Sequence, residues 1–335
     1  MKRIKLLKFL LYALPVPVIL ASLFIGPSQT VSPGSIIKAI FRWILGNQAS
    51  GENFAMMKSI IFDVRLPRVL LTFITGGALA ISGCSIQAIF RNPLADPYIL
   101  GLSSGAAFGA AFALAFVLIP VQLSAFIFGL LAVGLSYFMA RKNKRISVVS
   151  LILSGIVVSG IFTALLTIIQ FFSDPFKLQS IVHWTMGNLH NANWNKLQSS
   201  IIPIAVGIMI LFKYRWRLNV LSMGDDEART SGINPDKDKL IILLAATLAS
   251  SSAVAVAGII GLYGLIVPHM IRMMIGPDNR QSIPLNFLFG GMFLLIIDDF
   301  SRTISGFEIP IGVFTMLLGA PFFIFLMKKT NIGWG

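Results

Sequence analysis

The sequence predicts an all-α polytopic membrane protein of about ten spans. Three observations carry that prediction. Of the 335 residues, 56% are hydrophobic and 12% charged, against about 25% charged in an ordinary soluble domain. Long apolar runs separate the few charges, and a bilayer core needs about 20 such residues per helix. The 27 Lys and Arg outnumber the 13 Asp and Glu, and they collect in alternate connections between the runs, as loops on the cytoplasmic side do. A soluble enzyme and a disordered chain are both excluded. The basic excess is too scattered for a nucleic-acid face. The single cysteine, Cys84, excludes an internal disulfide framework and a cysteine-based zinc site; in its apolar setting it reads as a small buried residue.

Taken in order, the predicted spans are 9–26, 64–90, 98–117, 119–140, 146–172, 200–213, 240–260, 263–275, 283–303 and 309–327. The first comes after Lys2, Arg3, Lys5 and Lys8. It is longer than a signal-peptide core and lacks a small-residue cleavage site, so it reads as an uncleaved helix with its N-terminus inside. The sixth and eighth are short, and the eighth is open to reading as a half-helix. Ten crossings place both termini and the even-to-odd connections in the cytoplasm. Those segments hold 19 of the 27 basic residues, with the cluster Arg141–Arg145 the most informative because two strong spans flank it. The opposite side receives two longer polar stretches, Gly26–Asp63 and Ser173–Ser199. The second contains His183, Trp184, His190 and Trp194. Tryptophans at span ends suit an interfacial belt. The histidines lack a carboxylate or cysteine at ligand spacing and read as loop residues ahead of metal ligands.

Small residues set how these helices pack. Gly76, Gly77, Ala80, Gly83 and Cys84 lie in the second span, and Gly101, Gly105 and Gly109 open the third at four-residue spacing. Small faces let helix backbones approach closely in lipid. The fifth span carries Ser154, Gly155, Ser159, Gly160, Thr163 and Thr167 and ends near Gln170. Close packing and the lining of a wet path are equally good readings of that face. Two segments interrupt helix. In Arg91–Pro97, Pro93 and Pro97 disfavour helix in the residue before each, and Asp96 is placed to cap the next helix. The second interruption is the Gly258, Gly261, Gly264, Pro268 run. A break in each half is the pattern of transporter inverted repeats. Asp298, Asp299 and Arg302, three and four residues apart, read as a local ion pair on one helix face.

The connection 214–239 is the longest on the basic side. Ser222–Asp225 has the form of a capping box, Asp225, Asp226 and Glu227 occupy a first turn where the helix dipole favours acids, and Gly232 is placed to end the helix left-handed. A short helix at about 223–231 is expected to project there, a natural contact for a soluble partner. No phosphate-binding loop, metalloprotease helix or nucleophile elbow occurs.

Ordered motifs then carry a family resemblance over nearly the whole chain: Val64-Arg-Leu-Pro-Arg68; Gly77-Ala-Leu-Ala-Ile-Ser-Gly83 with Gln87; Arg91-Asn-Pro-Leu-Ala-Asp-Pro97; Leu100-Gly-Leu-Ser-Ser-Gly105; Gly258 through Arg272; Gly276-Pro-Asp-Asn-Arg280; Glu308-Ile-Pro-Ile-Gly312; and Leu318-Gly-Ala-Pro-Phe322. The chain resembles the FecCD/BtuC-type permeases of ABC importers for ferric siderophores, haem, cobalamin and related metal chelates. The resemblance implies a type II importer fold in one domain, 1–335, in the cytoplasmic (inner) membrane. It implies pairing with a second permease copy, either a homodimer or a close paralogue, with two ATPase subunits and an extracytoplasmic binding protein. No cofactor is expected on this chain; ATP and magnesium belong to the ATPase, and no nucleic acid is involved. Gly224, Asp225, Asp226, Glu227, Ala228, Arg229 and Gly232 resemble the segment that couples to the ATPase, with Ser231 standing where the family usually has Leu. Arg65, Arg68 and Arg302 are the expected binding-protein contacts. Ser154, Gly155, Ser159, Gly160, Thr163 and Gln170 are the expected path. A ferric siderophore is the favoured cargo, with haem, cobalamin or a molybdate-type oxyanion as other cases. The competing reading, an ion-coupled secondary transporter, would show membrane-embedded acids or a sodium site; a membrane enzyme would show a catalytic constellation.

Overall fold

The computed structural model describes residues 2–26, 34, 52–142, 145–305 and 307–329. The first polar stretch therefore lies largely outside the described residues, as do Asn143 and Lys144 of the basic cluster. The helices are α1 (Lys2–Ala13), α2 (Pro15–Phe24), α3 (Glu52–Ser59), α4 (Leu66–Phe90), α5 (Leu102–Phe116), α6 (Val121–Ala140), α7 (Val148–Phe172), α8 (Pro175–Thr185), α9 (Trp194–Met223), α10 (Asp225–Thr230), α11 (Pro235–Ala257), α12 (Tyr263–Ile275), α13 (Asn279–Thr303) and α14 (Ile311–Lys329). A two-residue antiparallel ladder, Arg141–Lys142 with Arg145–Ile146, closes the α6–α7 turn. Among the described residues seven helical stretches are long and apolar enough to cross a membrane, and three shorter apolar helices bring the number to ten.

Start and stop chemistry is local. Proline opens α2, α4, α8 and α11, where its missing N–H costs nothing. Asp174, Asn193, Asn234 and Asp278 cap α8, α9, α11 and α13 through their side chains. The second span is longer than expected: the end of α3, a π-helical turn at Ile60–Arg65 and α4 form one 35-residue stretch, Met56–Phe90. The sixth is also not short. Asn193 starts α9 well before the apolar run, and Pro203 sits inside the helix without ending it, giving 30 residues. The eighth is short as read: the 13 residues of α12 span roughly 20 Å at 1.5 Å per residue, less than a bilayer core of about 30 Å.

The centre of the bundle is α4, almost wholly buried, flanked by α13, α11, α9 and α12. Glycine makes the tightest crossing possible. A Cβ at Gly76 would stand 2.5 Å from the Gly290 carbonyl oxygen, and one at Gly83 would overlap the backbone of Gly264. Gly105 and Gly109 do the same for α5 on α6, against Phe128 and Ser124. Gly101 departs from that expected stripe. It lies ahead of the helix at φ +85° and faces Val158 and Ser159 of α7.

The two helix breaks meet. After α4 the chain turns through Arg91–Asp96, and Asp96 Oδ1 accepts from the Tyr98 N–H at 2.8 Å to start the 3-10 turn Pro97–Leu100. After α11 it is irregular from Gly258 to Gly261. The Ile260 N–H donates to the Tyr98 hydroxyl at 3.4 Å, and Pro97 and Asp96 lie against Gly264. Non-helical backbone is thus kept in protein surroundings, the condition for tolerating it at membrane depth.

Candidate functional site

Three groups of residues were expected to act. The structure places each in a different physical setting.

On the face bearing most of the basic residues, α10 stands as a single exposed turn and a half. It covers 225–230, shorter than expected, and its cap differs from the expected one. Ser222 Oγ donates back to the Leu218 carbonyl at 2.7 Å, so it caps nothing in α10. Gly224 is the N-cap, and the Glu227 carboxylate lies where a Cβ on Gly224 would go. The exit is as expected. Gly232 has φ +76°, the Ile233 N–H donates to the Ala228 carbonyl at 2.9 Å and the Gly232 N–H to the Arg229 carbonyl at 3.0 Å, a Schellman closure. Side chains divide sharply. Ala228 is fully buried and Gly224 is buried, so both face the chain's own core. Asp226, Glu227, Arg229 and Thr230 face outward, with Met223 beside them. Asp225 is held within the chain: Lys239 Nζ donates to its carboxylate at 2.6 Å and Arg91 approaches to 3.8 Å. That second contact ties α10 to the turn between α4 and α5. Arg229 pairs with Asp226 at 3.2 Å and Asp236 at 3.8 Å. Next to this segment the Asp278 carboxyl is partly desolvated. Hydrogen bonds from Asn219, the Arg280 N–H and Gln281 nonetheless hold it below the usual carboxylate range.

On the opposite face the three arginines are internal. Arg65, Arg68 and Arg302 are 4%, 7% and 3% exposed, so none presents a guanidinium to a surface in this chain. Arg68 donates to Asp298 from Nε and a terminal nitrogen at 3.0 and 2.7 Å, and to both Glu308 oxygens at 2.9 and 3.0 Å. Arg302 reaches Asp298 at 3.6 Å and pairs with Asp299, the local ion pair expected from the spacing. It also donates to the Ser22 carbonyl at 3.1 Å, while Ser22 Oγ donates to Asp299 at 2.6 Å. Arg65 donates to the Leu23 carbonyl at 3.0 Å. The network bolts α2, α4, α13 and the Glu308 loop together. The sequence separation of 230 residues between Arg68 and Asp298 hides this from any local pattern.

The small-residue face of α7 is split. Gly155 packs on the backbone of Ile99 and Leu100, and Ser159 neighbours Gly101. Ser154 and Gln170 are half-buried. Gly160 and Thr163 are exposed, and a Cβ on Gly160 would meet nothing within 4 Å. Leu153, Ile156, Val157, Ile161, Leu165 and Ile168 are also exposed, a large apolar face for lipid or another chain. Packing accounts for the first pair; an unfilled side remains for the rest.

His183 and His190 come together although neither was expected to do more than line a loop. Their rings are 4.8 Å apart, edge to face. Asn188 Nδ2 lies 3.1 Å from His183 Nδ1 and donates to the His183 carbonyl at 2.9 Å. Burial, and then neighbouring His183, hold His190 below the usual imidazole range. Among the described residues no group of three or more His, Cys, Asp and Glu is arranged to hold a metal ion.

Comparisons with known proteins agree on one lineage. Residues 13–329 match the FecCD transport family. The chain is 39% identical over 280 residues to a probable iron chelatin transport system permease protein of Helicobacter pylori, covering 84% of this chain and 86% of that one. It is 39% identical over 282 residues to the molybdate import system permease protein MolB of Haemophilus influenzae, covering 83% of each. It is 40% identical over 285 residues to the hemin transport system permease protein HmuU of Yersinia pestis, covering 82% and 84%. The fold superposes on the solved structure of a metal-chelate type ABC transporter in an inward-facing conformation, with a TM-score of 0.83, 34% identity and coverage of 96% and 99%. A central α4 crossed through glycine, a short capped helix on the basic face and the meeting of two broken helices are therefore features of a transport subunit whose ATPase is a separate chain: the protein belongs to the FecCD transport family of ABC importer permeases.

Proposed function

We propose that this chain forms the membrane path of an ATP-driven importer for a metal chelate, a ferric siderophore in the first instance, across the cytoplasmic membrane, with both termini inside. The observation that carries the reading is α10. A helix held by its own Schellman closure and by Asp225–Lys239 presents Asp226 and Glu227 outward, beside Met223 at the end of α9, on the face to which the ten-span topology assigns 19 of the 27 basic residues and hence the cytoplasm. An ATPase seating on this surface moves α10 as a unit, and the Asp225–Arg91 contact passes that motion to the α4–α5 turn. The turn reaches Tyr98 and Asp96, which touch the start of α12. A second copy, placed against the open side of α7, supplies the other wall of the path lined by Gly160 and Thr163. Iron-chelate, haem and oxyanion cargoes all fit the range of the relatives' names, and a binding protein delivers them to the opposite face. There Arg65, Arg68 and Arg302 act from inside, by fixing the ends of α2 and α13 and the Glu308 loop on which docking takes place.

The test is reconstitution of the permease with its ATPase and binding protein in liposomes, measuring uptake of ferric hydroxamate, haem and molybdate. Uptake that needs ATP and the binding protein supports the reading. Uptake driven by a proton or sodium gradient without ATP favours the secondary-transporter alternative and overturns it.

A further inference from the structure

We infer that the cavity beneath α8, on the face opposite α10, is a binding site for an anionic group of the cargo, a carboxylate or a tetrahedral oxyanion. The inference rests on the importer reading and adds the chemistry of what is carried.

The cavity has a volume of about 400 Å³ and lies between α8, the ends of α5 and α11, the start of α6 and the loop after α8. Lys196 and Gln122 line it and also a neighbouring cavity of about 680 Å³, while His183, Asn188 and His190 connect it to a third of about 390 Å³ beside Arg68. Its lining includes no carboxylate. It includes Lys196, His183, His190 and the side chains of Gln122, Gln179, Asn188 and Asn191. Glu308, the acid of the third cavity, is already taken by both bonds from Arg68.

Three features turn this crevice into a receptor for negative charge. Among the described residues Lys196 forms no ion pair, although Lys239, another half-buried lysine, is matched to Asp225. A lysine in a partly desolvated site without an acid is an incomplete pair, and an anion completes it. The donors around it are pre-arranged. Asn188 Nδ2 is fixed by its bond to the His183 carbonyl and meets His183 Nδ1 with its other hydrogen, so the neutral imidazole carries its proton on Nε2 as a free donor. Finally, the site lies on the face opposite α10, the face to which the proposed binding protein delivers its cargo. A lipid headgroup phosphate offers the same chemistry from a second source.

The test uses the full chain in phosphatidylcholine nanodiscs, titrated by calorimetry with molybdate and with citrate, and followed in parallel by the fluorescence of Trp184, which lines the cavity. Saturable binding of at least one probe is expected, with a fluorescence change that Trp184→Phe removes. Lys196→Gln should weaken it by about tenfold or more, as for loss of a charged hydrogen bond, while Lys196→Arg keeps most of it. No saturable binding of either probe, or equal binding by Lys196→Gln in a monodisperse preparation, overturns the site. Nanodiscs of phosphatidylglycerol provide the other arm: competitive loss of probe binding there shows a headgroup as the occupant and overturns the cargo assignment. Failure of this site leaves ATP-dependent uptake untouched, so it is separable from failure of the importer reading.

Discussion

Two clusters of charge, one at each face, look alike in sequence and behave oppositely in the fold. Asp298, Asp299 and Arg302 lie within one turn of each other, as do Asp225, Asp226, Glu227 and Arg229. Both are acidic residues followed by arginine at helical spacing. The first cluster is sealed: Asp298 has no exposure, and Arg68 arrives from a distant helix to complete it. The second is open: the Asp226 side chain is 93% exposed and its arginine partner 51%. Burial therefore decides whether a charge motif is a bolt or a handle. The arginines expected to meet a binding protein are bolts, and the acids expected to meet an ATPase include a handle.

The largest effect expected from this contrast is at Asp298. Asp298→Asn keeps the shape and leaves Arg68 and Arg302 short of a buried negative charge. Removing one partner of a buried pair costs about 3–5 kcal/mol. The detergent-solubilised chain should lose thermal stability strongly or fail to accumulate. Glu308→Gln, at a side chain 34% exposed, should lose much less. Equal melting temperatures for Asp298→Asn and the parent would break the comparison, because the cluster would then be as dispensable as a surface pair.

How much of this was legible depends on the same contrast. The spans, the Asp96 cap and the left-handed exit at Gly232 are local, and the spacing of Asp, Pro and Gly announced them, whereas the cap expected at Ser222 went to Gly224. The glycine crossings of α4 were legible as a small-residue face, though not their partner in α13. Arg68–Asp298 joins residues 230 apart, beyond any local pattern, and Lys239–Asp225 and the His183–His190 contact, though closer in sequence, follow from packing and not from helical spacing. The orientation of Ala228 shows the limit most clearly. Its place in a coupling motif suggested contact with a partner, yet with α10 only six residues long, one side must rest on the permease, and Ala228 is on it. Ala228→Trp would therefore damage the permease itself and cannot report docking.

Asp226 and Glu227 can. Reversing both to Lys places like charge on an exposed surface while the core contacts of Ala228 and Asp225 stay in place. Exposed pairs contribute about 0.2–1 kcal/mol, so the permease should melt close to the parent. Association with the ATPase should slow, and the effect should shrink as salt is raised. The measurement is the association rate of purified ATPase with permease nanodiscs at two salt concentrations. Unchanged rates at low salt would move the docking surface away from the outward side of α10.

The smallest effect sharpens the same region, by asking whether α10 must keep its shape and not only its charge. Gly232 ends the helix at φ +76° with open space where a Cβ would go. Steric clash with neighbours is thus absent, and only backbone strain opposes a side chain. An L-residue in the left-handed region costs about 1 kcal/mol, which the closure from Ile233 and Gly232 onto Ala228 and Arg229 must then carry. Gly232→Ala should lower the stability of α10 by about that amount, and Gly232→Asn by less, since asparagine tolerates this conformation better. Global melting should barely move, because α10 is a small exposed element, but hydrogen exchange at the amides of Ile233 and Gly232 should quicken several-fold in Ala and less in Asn. If ATP-driven uptake falls in the order Gly, Asn, Ala, the closure itself transmits force. If exchange quickens and uptake does not change, α10 serves as a charged landing surface alone, and its exposed acids are sufficient for coupling.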